Sequence, residues 1–155
     1  MTARPYVVLP GQARVLDMGP FAMSVLAEGS TTDGQLLALE AAEPPGFGPP
    51  LHVHEDAAEA FYVLEGEYRM LVDGSEHACP AGSFLYVPAG VEHTFVVGQR
   101  HSRKLNLFLP SAMLGYFEAL AASHAGGGSL DDDQLAALAA QHAMRVIGPV
   151  PENYV

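Results

Sequence analysis

His52 and His54 stand one residue apart in the stretch GFGPPLHVHEDAAEAFYVLEG, Glu59 follows five positions after His54, and a third histidine, His93, comes after a Pro-Ala-Gly turn. Imidazole and carboxylate are the mixed nitrogen and oxygen donors that hold divalent transition metals. Side chains alternate faces along a strand, so His52 and His54 point together and Val53 points the other way. Glu59 opens the apolar run EAFYVLEG and shares a face with Phe61 and Val63. An ionised carboxylate on an inward face needs a compensating charge, and a divalent cation held with imidazoles supplies it. His93 is carried inward on EHTFVVG together with Phe95 and Val97. Three neutral imidazoles and a carboxylate suit one divalent first-row metal per chain, Fe, Mn, Ni, Co or Zn, with coordination positions left for a substrate or O2. Glu59 is also the candidate catalytic base, as a carboxylate that either stays on the metal or takes a substrate proton.

The elements that position these residues read as all-β. FAMSVLAE, GQLLALEAA, EAFYVLEG, EYRMLVDG, SFLYVPAG, EHTFVVG and RKLNLFLP recur between Arg14 and Leu109, separated by Gly, Pro and Asp-Gly. That spacing is expected of a sandwich or barrel. The glycines of Glu65-Gly66-Glu67 and Asp73-Gly74-Ser75 suit tight hairpins between antiparallel neighbours. After Pro110 the period changes: Met113, Tyr116, Phe117 and Leu120 mark a helix with Ser111 as its N-cap, and Leu135, Leu138 and Ala139 mark a second behind three aspartates. The Gly126–Gly128 run between them is expected to be mobile. The division this predicts is an N-terminal arm (1–20), a β-barrel (21–110) and a helical extension packing on the barrel (111–155).

At 155 residues, with 16% charged side chains, the chain is long enough for one domain with a real core. Its formal net charge of −11 disfavours nucleic acid and anionic membranes. One cysteine, Cys79, excludes an intramolecular disulfide and reads as a small strand residue. Neither a long apolar run nor a signal-like start is present, which makes a cytoplasmic location the expectation.

The spacings resemble those of the cupin superfamily. Gly46, His52, His54, Glu59 and Gly66 match its first motif throughout, and Gly82, Pro88, Gly90 and His93 match its second, with Val97 where the family has asparagine. The likeness covers about residues 35–109. It implies a small antiparallel β-barrel of jelly-roll type, with the metal inside on His52, His54, Glu59 and His93. The PP-x-HxH entry and the helical tail look most like single-barrel bacterial cupins related to quercetin 2,3-dioxygenase. This implies a dioxygenase-like oxidoreductase acting on a small apolar or aromatic enol or phenol; a metal-dependent isomerase or cyclase, or a non-catalytic small-molecule-binding cupin, would use the same ligands. Phe61, Val63, Met70, Phe84, Tyr86, Phe95, Val97 and Leu107 are the expected pocket wall, uncharged, with Tyr86 a candidate hydrogen-bond donor. Glu55 and Asp56 are assigned to an exposed loop, and His77, His101, His124 and His142 to solvent. The superfamily's habit of pairing barrels predicts a homodimer.

Overall fold

The computed structural model describes residues 2–154, and its regular structure is mostly strand. The strands are β1 (Arg14–Asp17), β2 (Ala22–Ala27), β3 (Leu37–Glu43), β4 (His52–His54), β5 (Ala58–Glu65), β6 (Glu67–Val72), β7 (Ser75–Pro80), β8 (Phe84–Val87), β9 (His93–Val97), β10 (Ser102–Leu109) and β11 (Met144–Val146), with helices α1 (Leu114–Ala125) and α2 (Asp132–Ala140) between the last two. They form two antiparallel sheets, β1-β2-β3-β10-β5-β8 and β11-β4-β9-β6-β7. Their inner faces close on one core that includes Leu37, Leu39, Phe47, Phe61, Tyr68 and Phe95. The architecture is all-β and of jelly-roll type, as the sequence leads one to expect; the expected barrel takes the form of a two-sheet sandwich, without a continuous ring of hydrogen bonds among the described residues.

Two turns that looked alike in sequence do different work. Asp73 and Gly74, both at positive φ, join β6 to β7 as a two-residue hairpin with Val72 opposite Ser75. Gly66 joins no hairpin. β5 pairs with β10 and β8 in one sheet, while β6 pairs with β7 and β9 in the other. Gly66 is therefore the corner where the chain crosses between sheets. Its φ is +74°, and a Cβ there would overlap Ser102, whose hydroxyl accepts from the Glu67 amide.

The segments outside the expected barrel are part of the sheets. β1, within residues 1–20, pairs with β2, and β11, near the C-terminus, pairs with β4. Helix α1 buries Tyr116, Phe117 and Leu120. Ser111 does not cap it: the N-cap is Met113, and the Ser111 hydroxyl donates instead to the Gly34 carbonyl. Helix α2 begins as the aspartates indicate, with Asp131 and Gln134 forming a capping box, and it buries Leu135 and Ala139. Among the described residues no helix is long and apolar enough to cross a membrane.

Candidate metal centre

The four sequence-predicted donors meet in the sandwich interior. His52 and His54 lie on β4, Glu59 begins the inward face of β5, and His93 opens β9 directly opposite His52. The second glycine-containing turn explains that meeting, because Gly90, at positive φ, donates its amide to the His54 carbonyl and so ties the start of β9 to β4. The loop before β4 is held similarly. Gly46 and Phe47 exchange backbone hydrogen bonds with Val97, and Gly48 lies so close to the Phe95 carbonyl that no Cβ would fit.

One ligand atom from each of His52, His54, Glu59 and His93 lies within 4.8 Å of the others, and all four residues are buried. His52 Nδ1 is 2.7 Å from the Pro50 carbonyl and His93 Nδ1 is 3.0 Å from that of Val91. A carbonyl only accepts, so each Nδ1 carries a proton and each ring turns its Nε2, the atom able to ligate a metal when deprotonated, toward the cluster. Glu59 Oε2 lies 3.0 Å from His54 Nε2 and 2.7 Å from His93 Nε2. This donor set, buried and tautomer-locked, could hold a divalent transition metal.

Burial acts to raise the Glu59 pKa, yet the hydrogen bonds and charges of His54 and His93 prevail and hold it well below the usual carboxylate range. Burial pushes His52 down to about 3, helped by His93 and His54, so this ring is neutral at neutral pH. Burial also acts to lower His93, but the Glu59 hydrogen bond and charge outweigh it and the net shift is upward.

Next to this cluster is a small cavity of about 40 Å³, room for a few solvent-sized atoms. Its wall differs from the expected one. Of the wall residues inferred from sequence, Phe95 lines it; Phe61, Val63, Met70 and Val97 are buried in the core beside it. Tyr86 and Leu107 are corrections. Tyr86 is 56% exposed and Phe84 64% exposed, because β8 is an edge strand that turns Leu85 and Val87 inward. Leu107 lies half-buried on the outer face of β10, whose inner face carries Lys104, Asn106 and Phe108.

Nor is the wall uncharged. Lys104, fully buried, sits 2.9 Å from both carboxylate oxygens of Glu43, and the Tyr68 hydroxyl donates to Glu43 Oε2 at 2.8 Å. The ammonium also lies 4.1 Å from the centroid of the Phe95 ring. Asn106 donates through Nδ2 to Glu59 Oε1 at 3.1 Å. Over the cavity, Tyr116 of α1 and Tyr154 share a hydroxyl–hydroxyl bond of 2.9 Å, and Tyr154 stacks on Phe47. Burial raises Tyr116 to about 12 and holds Tyr154 well above the usual phenol range, so both phenols keep their protons. Glu43, Tyr68, Lys104, Asn106, Tyr116 and Tyr154 were all missed from sequence. The one local signal was the alternation of Lys104 and Asn106 at i and i+2 on a strand, the same spacing as the His52–His54 pair.

Glu55 and Asp56 are exposed, with Glu55 paired to Arg145 at 2.9 Å, and His77, His101 and His124 are exposed too. His142 is half-buried, with its ring edge-on to Tyr116. Cys79 is buried in β7 as a small strand residue.

Residues 39–101 match the model of the cupin domain. The chain belongs to the cupin superfamily. It is 31% identical over 124 residues to a quercetin 2,3-dioxygenase of Bacillus subtilis; the match takes in 80% of this chain and spans 37% of that protein's length. Among solved structures, an RmlC-like cupin from Shewanella frigidimarina aligns with a TM-score of 0.61 and 24% identity over 71% of this chain and 95% of the other. The polyketide cyclase RemF from Streptomyces resistomycificus aligns with a TM-score of 0.59 and 20% identity over 68% and 80% of the two chains. These two alignments speak to the fold.

Proposed function

We propose that this cupin is a mononuclear-metal enzyme, a dioxygenase-like oxidoreductase acting on a small enol or phenol, with His52, His54, Glu59 and His93 as its metal ligands. The observation that carries this is the convergence of three imidazoles and one carboxylate in a buried site where the backbone fixes two ring tautomers. The 31% identity to a quercetin 2,3-dioxygenase supports the choice of reaction. A divalent metal bound there would act as a Lewis acid toward an enol or phenol oxygen and, if redox-active, would connect it electronically to O2.

The chain's own residues supply the remainder. Glu59 Oε2, held ionised by its histidine neighbours, is the atom able to take a substrate proton. Phe95, Phe108 and Phe117 keep bulk water from the site. The cavity of about 40 Å³ is smaller than a ring-sized ligand. A phenolic substrate thus enters by displacing part of the aromatic cover formed by Tyr116 and Tyr154.

Oxygen-electrode measurements on protein loaded in turn with Fe, Mn, Ni, Co and Zn, screened against enolic and phenolic compounds, test the assignment. Stoichiometric O2 uptake with substrate loss supports it. Turnover without oxygen transfers the assignment to an isomerase or cyclase, and tight binding without turnover under every metal transfers it to a binding domain. Glu59→Gln is expected to lower turnover about 10²-fold with substrate binding little changed; loss of the metal instead makes Glu59 chiefly a ligand.

The same proposal includes a homodimer. Tyr62, Phe84 and Tyr86 are exposed together, with Tyr62 opposite Phe84 in the register, and β8 has one free edge among the described residues. A second copy meeting this strand across a two-fold axis would cover both the aromatic patch and the edge. Sedimentation at micromolar concentration is expected to give a dimer that Phe84→Glu dissociates; a wild-type monomer contradicts it.

A further inference from the structure

We propose that Asn106 is the positioning residue of this centre and the acceptor that reads a hydroxyl on the ligand bound there; the inference rests on the metal reading above. A carboxylate can only accept hydrogen bonds, so the amide must present Nδ2, not Oδ1, to Glu59 Oε1 at 3.1 Å. The two oxygens of Glu59 are thereby divided. Oε2 faces His54 and His93, Oε1 faces Asn106, and the plane of the carboxylate is fixed from both ends. Asn106 reaches this place because its neighbours in the β5–β10 register put it opposite Phe61 and put Phe108 opposite Glu59, all on the inner face.

The other end of the amide has no such partner. Asn106 is 3% exposed, and its Oδ1 accepts no hydrogen bond from the described residues. Leaving a buried acceptor unpaired is unfavourable, and native interiors seldom tolerate it. The recorded bonds of the nearby donors go elsewhere, Lys104 to both oxygens of Glu43 and Tyr116 and Tyr154 to each other, and none of them reaches Asn106 Oδ1. Asn106 also lines the cavity with His52, His54 and Glu59. An acceptor placed there matches a ligand that carries a hydroxyl donor beside its metal-binding oxygen, such as a hydroxy acid or a hydroxy-enol, in preference to one that brings acceptors alone.

Equilibrium titration of the Co(II)-loaded protein with glycolate and with acetate isolates this contact. The two ligands share the carboxylate and differ in the hydroxyl. Glycolate gains from chelation in every variant, so the informative quantity is the change in the glycolate-to-acetate affinity ratio on mutation. Asn106→Leu, which keeps the bulk and removes the acceptor, is expected to lower the ratio about 5- to 10-fold. Asn106→Ala repeats the measurement if the leucine variant does not fold. Asn106→Asp keeps an acceptor but sets a second carboxylate against Glu59, and is expected to weaken Co(II) about 10- to 100-fold and alter its visible spectrum. An unchanged ratio overturns the hydroxyl-reading role, and an Asn106→Asp protein with wild-type Co(II) affinity and spectrum overturns the positioning role, both leaving the metal reading intact. Wild-type protein that takes up no Co(II) at neutral pH overturns the metal reading, and this inference with it.

Discussion

Two buried polar clusters face the same cavity, and they solve the problem of interior charge in opposite ways. At one end Glu43 is neutralised by Lys104 and hydrogen-bonded by Tyr68, so the chain supplies both the anion and the cation. At the other end Glu59 meets three imidazoles, of which His52 is held neutral by burial. The first cluster is complete as it stands. The second has a full set of donors and no fixed cation, which is the composition of a site for an exogenous one. The difference shows that burial of a carboxylate does not by itself mark a metal centre; what marks it is the identity of the groups around that carboxylate.

The comparison breaks most visibly at Lys104. Lys104→Met leaves Glu43 uncompensated in the core and is expected to cost about 3–5 kcal/mol of stability in denaturant unfolding, while metal content stays at the wild-type level. A Lys104→Met, Glu43→Leu double variant is expected to recover most of that loss, because no lone charge remains. The mirror experiment is His54→Ala. It is expected to weaken metal at least 10²-fold, about 2.7 kcal/mol, by competition with a chelator. An equal effect of both substitutions on metal would erase the distinction.

Acidification of metal-free protein sharpens it further. The His52 pKa is lowered from 6.5 to about 3 on folding, so the unfolded chain binds that proton first and stability falls as pH drops below 6.5 toward 3. His93 is raised, so its contribution is complete below 6.5 and is lost only as pH rises through its folded value. Glu59 is depressed, so its contribution persists above its ordinary value of 4.5 and is lost as pH falls through the folded one. Between those two ordinary values His52 governs the slope, and unfolding free energy is expected to fall by about 2 kcal/mol. A flat profile in chelator-treated protein would contradict the burial of a neutral His52. The smallest effect concerns the cover: Tyr154→Phe removes one hydroxyl–hydroxyl bond and is expected to cost about 1 kcal/mol in thermal unfolding without changing metal uptake.

The two clusters were unequally legible in the sequence. His52, His54, Glu59 and His93 could be read because fixed spacings set the facing of β4, β5 and β9, and in those strands the apolar neighbours Phe61, Val63, Phe95 and Val97 point the same way as the donors. In β10 the usual rule inverts. RKLNLFLP reads as leucines inward and polar residues outward, whereas Lys104 and Asn106 are buried and Leu109 is 46% exposed. Alternation in sequence fixes which residues share a face; whether that face is wet or dry depends on what shares it, and here Glu43 and Glu59 lie beside Lys104 and Asn106 on the flanking strands β3 and β5 of the same sheet. The misread corner at Gly66 has a similar cause, since a glycine at positive φ serves a hairpin and a sheet-to-sheet crossing equally well. Tyr154 could not be anticipated, because its place over the cavity follows from the path of the C-terminal segment after β11.

The central claim is that the histidine cluster holds a metal and the lysine cluster does not. Elemental analysis of purified protein, after reconstitution with a single divalent metal at near-neutral pH and removal of the excess, tests it most directly. About one metal ion per chain is expected in the wild type and in Lys104→Met, and close to none in a His52→Ala, His54→Ala double variant. Wild-type protein that retains no metal, or a double variant that retains as much as wild type, would contradict it.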